Sequence, residues 1–189
     1  MLRRINILWL DDDLRPRMDG ETNERRRLQT WLRWFATGDR PGQFQVVEAR
    51  SLDDFARHMK ECEQLGEDSD AYIDALLIDI MWRGQNDKFF SPIGFPNHAV
   101  VPLNAGAQLL GLMLNADPPS ERPGYLSCYG NRKIATLSTL TDSSSSLHHY
   151  LDRVALAKVT VLEKNIQGTD IPDPDDKFVQ WCGSLRGSA

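Results

Sequence analysis

Four places in the chain set a reactive side chain at or just beyond the end of a short apolar run. Asp11 and Asp12 follow ILWL, Asp79 closes DALLID, Ser138 closes KIATLS, and Lys164 follows VTVLE. The first run, nearly continuous and ending in acid, reads as a parallel strand buried on both faces, and the other aliphatic and β-branched runs read as further strands. If those strands lie parallel in one open sheet, their carboxyl ends share the rim where such sheets bind ligands. Three carboxylates, a hydroxyl and an amine then converge there. Carboxylates so close repel one another, and a divalent cation relieves that repulsion. Oxygen-only donors suit a hard ion such as Mg²⁺, which keeps several waters and takes a phosphate oxygen. A hydroxyl and an ammonium beside it would hold two phosphoryl oxygens, chemistry suited to phosphoryl transfer rather than to hydrolysis by a metal-bound nucleophile.

Elements of alternating type must position these groups. Strands are expected at Ile5 to Leu10, Phe44 to Ala49, Tyr72 to Ile80, Lys133 to Ser138 and Val159 to Glu163. A helix from Glu21 to Thr37 would carry Leu28, Trp31, Leu32 and Phe35 on one face, with Gly38 as its stop. Ser51, with Asp54 three residues on, caps a second helix lined by Leu52, Phe55, Met59 and Cys62. Asn104 to Asn115 reads as a buried helix. Another begins after Asp142 and places Leu147, Leu151 and Val154 on one face, and a short last helix carries Phe178, Val179 and Trp181. Strand–helix alternation predicts an α/β fold with a doubly wound, five-stranded parallel sheet of the flavodoxin-like kind. Two long irregular stretches, about 82–103 and 115–132, interrupt it. One domain over residues 1–166 is expected, with residues 167–189 forming a turn and helix packed on it.

The bulk properties exclude several classes. A chain of 189 residues has room for one well-buried core, and 41% hydrophobic with 26% charged residues is ordinary globular composition. The net charge of -5 disfavours a nucleic-acid binder, and Arg25, Arg26, Arg27 and Arg33 lie beside Glu21 and Glu24 as a solvated face. Acidic residues cut the first apolar stretch short of a signal peptide or membrane span. Cys62, Cys128 and Cys182 are odd in number and lack metal-ligand spacing, which points to unpaired thiols and a cytoplasmic setting. His58, His98, His148 and His149 show neither ligand nor triad spacing.

Over most of residues 5–166 the chain resembles the receiver domain of two-component response regulators. The resemblance rests on ILWLDDD, DALLIDIMWRG, NAGAQLL with the NADP that follows, the LS of KIATLS, and VTVLEK. It implies that Asp79 is the phosphoacceptor, and that Asp11 and Asp12 hold Mg²⁺ directly or through water with the Met81 carbonyl as a third protein ligand. Ser138 would turn onto the phosphoryl group and Lys164 would pair with it. The domain would catalyse its own phosphorylation without being an enzyme in the usual sense. A histidine kinase or phosphotransfer protein would supply the phosphoryl group, and the signal would pass by contact with a downstream protein. The tail after residue 166 is too short for a DNA-reading module, and a homodimer is compatible with this mode. The chain departs from the family pattern at Thr139, Val161 and Asn165, where receivers carry a small residue, an aromatic and a proline. Two alternatives are a receiver-like interaction module without phosphorylation and a haloacid-dehalogenase-like phosphatase built on Asp11, Asp13, Ser138, Lys164 and Asp173 or Asp176. The phosphatase reading leaves Asp79 without a role.

Overall fold

The computed structural model describes residues 3–11, 43–80, 104–117, 122–129, 132–138, 143–163 and 177–185. Five strands form one sheet: β1 (Ile5–Leu10), β2 (Phe44–Ala49), β3 (Ala75–Asp79), β4 (Lys133–Ser138) and β5 (Val159–Glu163), in the order β2-β1-β3-β4-β5. Every neighbouring pair is parallel. Parallel strands need crossovers, which put helices on the sheet faces and exclude water from both. The aliphatic continuity of β1 and β3 follows from that. Residues Asn6–Leu10 and all of β3 are buried.

Alternation along each strand divides the core in two. Leu8, Leu10, Leu76, Ile78 and Ile134 face one side, where they pack with α1 (Leu52–Glu63), α2 (Ala105–Leu114) and α3 (Ser143–Tyr150). Ile7, Trp9, Ala75, Leu77, Ala135, Leu137 and Leu162 face the other, under Phe178, Trp181, Cys182 and Leu185 of the C-terminal helix, Lys177–Leu185. Lys133 Nζ donates to the Ser184 carbonyl, tying that helix's last turn to the start of β4. The doubly wound, flavodoxin-like α/β architecture expected from the pattern is therefore present. Among the described residues, no helix is long and apolar enough to cross a membrane.

Local signals account for the element ends. Ser51 Oγ accepts the Asp54 N–H at 3.1 Å and caps α1, while the Asp54 carboxylate returns to the Arg50 N–H at 3.3 Å. The capping box thus closes one residue early. Burial pushes the Asp54 carboxyl up, but hydrogen bonds to the carboxylate from Arg57, the Ser51 side chain and the Arg50 N–H outweigh it and hold Asp54 below the usual carboxylate range.

Three expectations need correction. β3 begins at Ala75 rather than Tyr72, because side chains claim the preceding carbonyls: Asn6 Nδ2 donates to those of Asp70 and Tyr72, and Arg132 Nε to that of Ile73. The 115–132 stretch is not wholly irregular, since Gly124–Tyr129 winds into a 3₁₀ turn that buries Tyr125 and Leu126. Val154 does not share a face with Leu147 and Leu151, because the helix stops at Tyr150 and restarts as α4 (Arg153–Leu156). Asp152 causes the restart, its carboxylate accepting the Ala155 N–H at 2.8 Å, and Val154 is turned out to 64% exposure. The last helix carries Phe178, Val179 and Trp181 as expected, with Val179 half-buried and Cys182 and Leu185 joining Phe178 and Trp181 in the core. The Glu21–Thr37 helix and the 82–103 stretch lie outside the described residues.

α2 crosses α3 closely enough that a Cβ at Gly111 would stand 2.6 Å from the Tyr150 carbonyl oxygen. Real Cβ atoms do not approach so closely, so Gly111→Ala should push the helices apart and cost about 1–3 kcal/mol. Gly66 has open space around its Cβ position. Gly66→Ala should stay within about 0.5 kcal/mol of the parent. Urea titrations of both variants, compared at unchanged slope, check the contrast.

Candidate functional site

The order of the strands reverses direction between β1 and β3, and the chain leaves these two strands toward opposite sheet edges. That boundary is the topological switch point, where a crevice opens beyond the carboxyl ends. Asp11 is the first residue after β1, and Asp79 is the last of β3. Leu10 pairs with Ile78, so the two aspartates occupy the next row of the ladder. The spacing of neighbouring strands, about 4.8 Å, sets the scale of their separation. The Asp11 N–H donates to the Ala49 carbonyl at 3.1 Å, which extends the hydrogen bonding of β1 to β2 through this row.

Both carboxylates are withdrawn from solvent, Asp11 at 0% and Asp79 at 3% exposure. Asp11 continues the parity of Ile7 and Trp9, and Asp79 that of Ala75 and Leu77, so alternation puts both on the same side of the sheet. Two adjacent carboxylates are hard oxygen donors, and that donor set fits a divalent cation of the Mg²⁺ class. Among the described residues, no group of three His, Cys, Asp or Glu side chains gathers as a metal cluster. The third expected carboxylate, Asp12, and the Met81 carbonyl lie outside those residues.

The remaining predicted groups enter through backbone register. Asp79 pairs with Leu137 of β4, which places Ser138 one row further out, opposite Glu163 of β5. The backbone of Ser138 therefore reaches the rim within one row of Asp79. Lys164, which would follow Glu163 onto the same rim, lies outside the described residues, as do Thr139 and Asn165. Asp13, Asp173 and Asp176 of the phosphatase alternative lie outside them too.

Sequence reasoning missed Gly106. The first turn of α2 rests on the end of β3, where the Gly106 N–H donates to the Ile80 carbonyl at 3.3 Å. A Cβ at Gly106 would collide with the carbonyl oxygen of Asp79, and would stand 2.9 Å from its carbon and 3.0 Å from the Ile80 Cα. The backbone that carries the candidate acceptor is thus seated against a helix at a position only glycine fits. The available signal was a glycine inside an apolar helical run, a residue that costs helix stability unless close packing requires it.

No family model, curated protein or solved structure matches the chain. The geometry of the strand ends alone carries the functional reading.

Gly106→Ala should displace the Asp79–Ile80 peptide and destabilise the fold at least as much as Gly111→Ala. In amide correlation spectra, the largest shifts outside α2 should fall on Ile78, Asp79 and Ile80. Shifts confined to α2 would show that the helix alone absorbs the added carbon.

Proposed function

We propose that this chain is a receiver-type signalling domain that accepts a phosphoryl group on Asp79 in a Mg²⁺-dependent reaction. The observation that supports it is that Asp11 and Asp79, both buried, directly follow the paired Leu10 and Ile78 at the switch point of a β2-β1-β3-β4-β5 parallel sheet. A fold of this order hosts many functions. Two buried acidic groups at the ends of the central strand β3 and its neighbour β1 favour chemistry that uses negative oxygen donors.

In this reading Asp79 is the nucleophile. One of its carboxylate oxygens attacks phosphorus, and a new O–P bond forms as the bond from phosphorus to the donor breaks. β3 lies between β1 and β4 and against α2, so the attacking group is held from three directions. Such fixation lowers the barrier by removing the search for an attack geometry. Asp11, with Asp12 and the Met81 carbonyl, would hold the cation. When bound, Mg²⁺ neutralises charge on the phosphoryl oxygens. Ser138 and Lys164 would bind the same oxygens from β4 and β5. Burial of Asp79 also limits attack by water, which lengthens the life of an aspartyl phosphate.

The phosphoryl group would come from a histidine kinase or phosphotransfer protein, and a downstream protein would read the result by contact. The phosphatase alternative gains no support from the placement of Asp79, since it assigns that buried group nothing to do.

Folded protein incubated with Mg²⁺ and acetyl phosphate should gain the mass of one phosphoryl group, and the adduct should map to Asp79. Asp79→Asn should abolish it. Asp11→Asn should slow its formation by about two orders of magnitude and raise the Mg²⁺ concentration required. A folded parent that gains no adduct, with Mg²⁺ present in excess, would refute the proposal.

A further inference from the structure

At the opposite pole of the sheet, two cysteines lie near one arginine, which bonds one of them and acts on the other through its charge. Cys62 is buried in the last turn of α1, and its sulfur accepts two hydrogen bonds. One comes from Arg132 Nη2 at 3.0 Å and the other from the Ile73 N–H at 3.4 Å. Cys128 lies half-buried in the 3₁₀ turn that packs on α1, and its thiol donates to the Met59 carbonyl at 3.5 Å. Met59 precedes Cys62 by three residues, nearly one helical turn, on the same buried face. In a helix the Cys62 side chain leans back toward that turn, which brings the two sulfurs to one patch of α1.

Electrostatics agrees with the geometry. Burial, the largest effect, holds the Cys128 thiol above its ordinary value; the Arg132 charge opposes this and the nearby Cys62 adds to it. Both groups therefore lie close to the Cys128 sulfur, and its attack on an oxidant draws on a small thiolate fraction. Cys182 packs on the other face of the sheet and cannot join the pair.

We propose that Cys62 and Cys128 are a peroxide-responsive thiol pair that closes into a reversible disulfide. This inference is independent of the phosphoacceptor reading. Cys128, the more exposed of the two, meets the oxidant first. Its sulfur attacks hydrogen peroxide, an S–O bond forms, the O–O bond breaks, and the departing hydroxide takes the thiol proton as water. The Cys62 sulfur then attacks the sulfenic sulfur of Cys128. An S–S bond forms, the S–O bond breaks, and a second water leaves with the Cys62 proton. Two thiols and one peroxide give one disulfide and two waters. Arg132 sets a cationic donor on the attacking sulfur as the second step begins.

Closure needs Cβ atoms about 3.8 Å apart. Cys62 is fixed in a regular helix, so the short 3₁₀ turn carrying Cys128 makes the adjustment. The bridge also draws Cys62 away from Arg132, whose Nε holds the Ile73 carbonyl ahead of β3. The oxidised form should therefore differ from the reduced form around the start of β3 as well as at the bridge.

The full folded chain is treated with hydrogen peroxide, quenched, unfolded in urea and alkylated. The expected product is two hydrogens lighter, takes alkyl label only on Cys182, yields a linked Cys62–Cys128 peptide, and reverts with dithiothreitol. Cys128→Ser should retain the fold by circular dichroism and leave Cys62 fully labelled after the same treatment. The proposal is overturned if both thiols of the folded parent stay reduced, or if Cys128 goes on to sulfinic acid with Cys62 untouched. A bridge that involves Cys182, or one that forms only in urea, overturns it equally.

Discussion

The end of β3 is held by a contact with no room for a methyl group. α2 starts directly against the peptide that follows Asp79, and only the hydrogen on the Gly106 Cα separates helix from strand. A buried carboxylate is costly to place, because the charged form loses water and must regain partners from the protein. A strand end free to fray would let Asp79 retreat toward solvent. Three neighbours prevent this: the pairing of Ile78 with Leu10, the pairing of Asp79 with Leu137, and the seat on α2. The position of the candidate acceptor thus depends on the close packing of backbone.

The opposite pole is built differently. Asn6, 2% exposed, donates to the carbonyls of Asp70 and Tyr72, while its N–H donates to Asp74 Oδ2 at 2.8 Å. Arg3 pairs with the same Asp74 carboxylate, and the guanidinium of Arg132 lies 4.4 Å from the centroid of the Tyr72 ring. These long-range polar bonds set the register at which β3 enters between β1 and β4. A slip of one residue would turn Asp79 to the other face of the sheet, so a network remote from the carboxylates decides which face they share. The pole that fixes the register is crowded with hydrogen bonds to backbone, and the pole proposed to react keeps acids at its rim.

Much of this was legible in the amino-acid order, for a physical reason. A parallel strand buried on both faces must be continuously apolar, as ILWL and ALLI are, and both runs stop sharply at aspartate; the edge strand VTVL, with Thr160 exposed, is marked instead by its β-branched residues and a charged end. The bounds of β1, β2, β4 and β5 follow directly. β3 was read three residues too long at its start because periodicity cannot reveal that Asn6 and Arg132 claim the carbonyls of Tyr72 and Ile73. The outward turn of Val154 was hidden for a similar reason. Asp152 competes for a backbone N–H and restarts the helix, and a face drawn through Leu147 and Leu151 passes over that break. At the site, Asp11 and Asp79 were legible as strand ends, but their shared face required the register. Gly106 was passed over because its meaning lies in a contact with a residue far away in sequence.

The same packing extends from the rim to the far end of α2. Asn115 caps that helix, its side chain donating to the Tyr150 carbonyl at 3.0 Å and accepting the Asp152 N–H at 3.1 Å. Asp152 in turn accepts the Ala116 N–H and caps α4. A displacement of the Asp79 peptide would press on Gly106, travel along a rigid ten-residue helix, and arrive at the break between α3 and α4. Val161 matters to this route. It is half-buried in β5 and packed on the α2 and α3 side of the core, and under the proposed receiver reading it takes the place of an aromatic switch residue. A β-branched side chain is stiff about χ1 and lacks a ring that could swing between two positions. Within the proposed reading, phosphorylation at Asp79 would then reach the surface through the helix seated on its own peptide, and not through rotation of a side chain on β5.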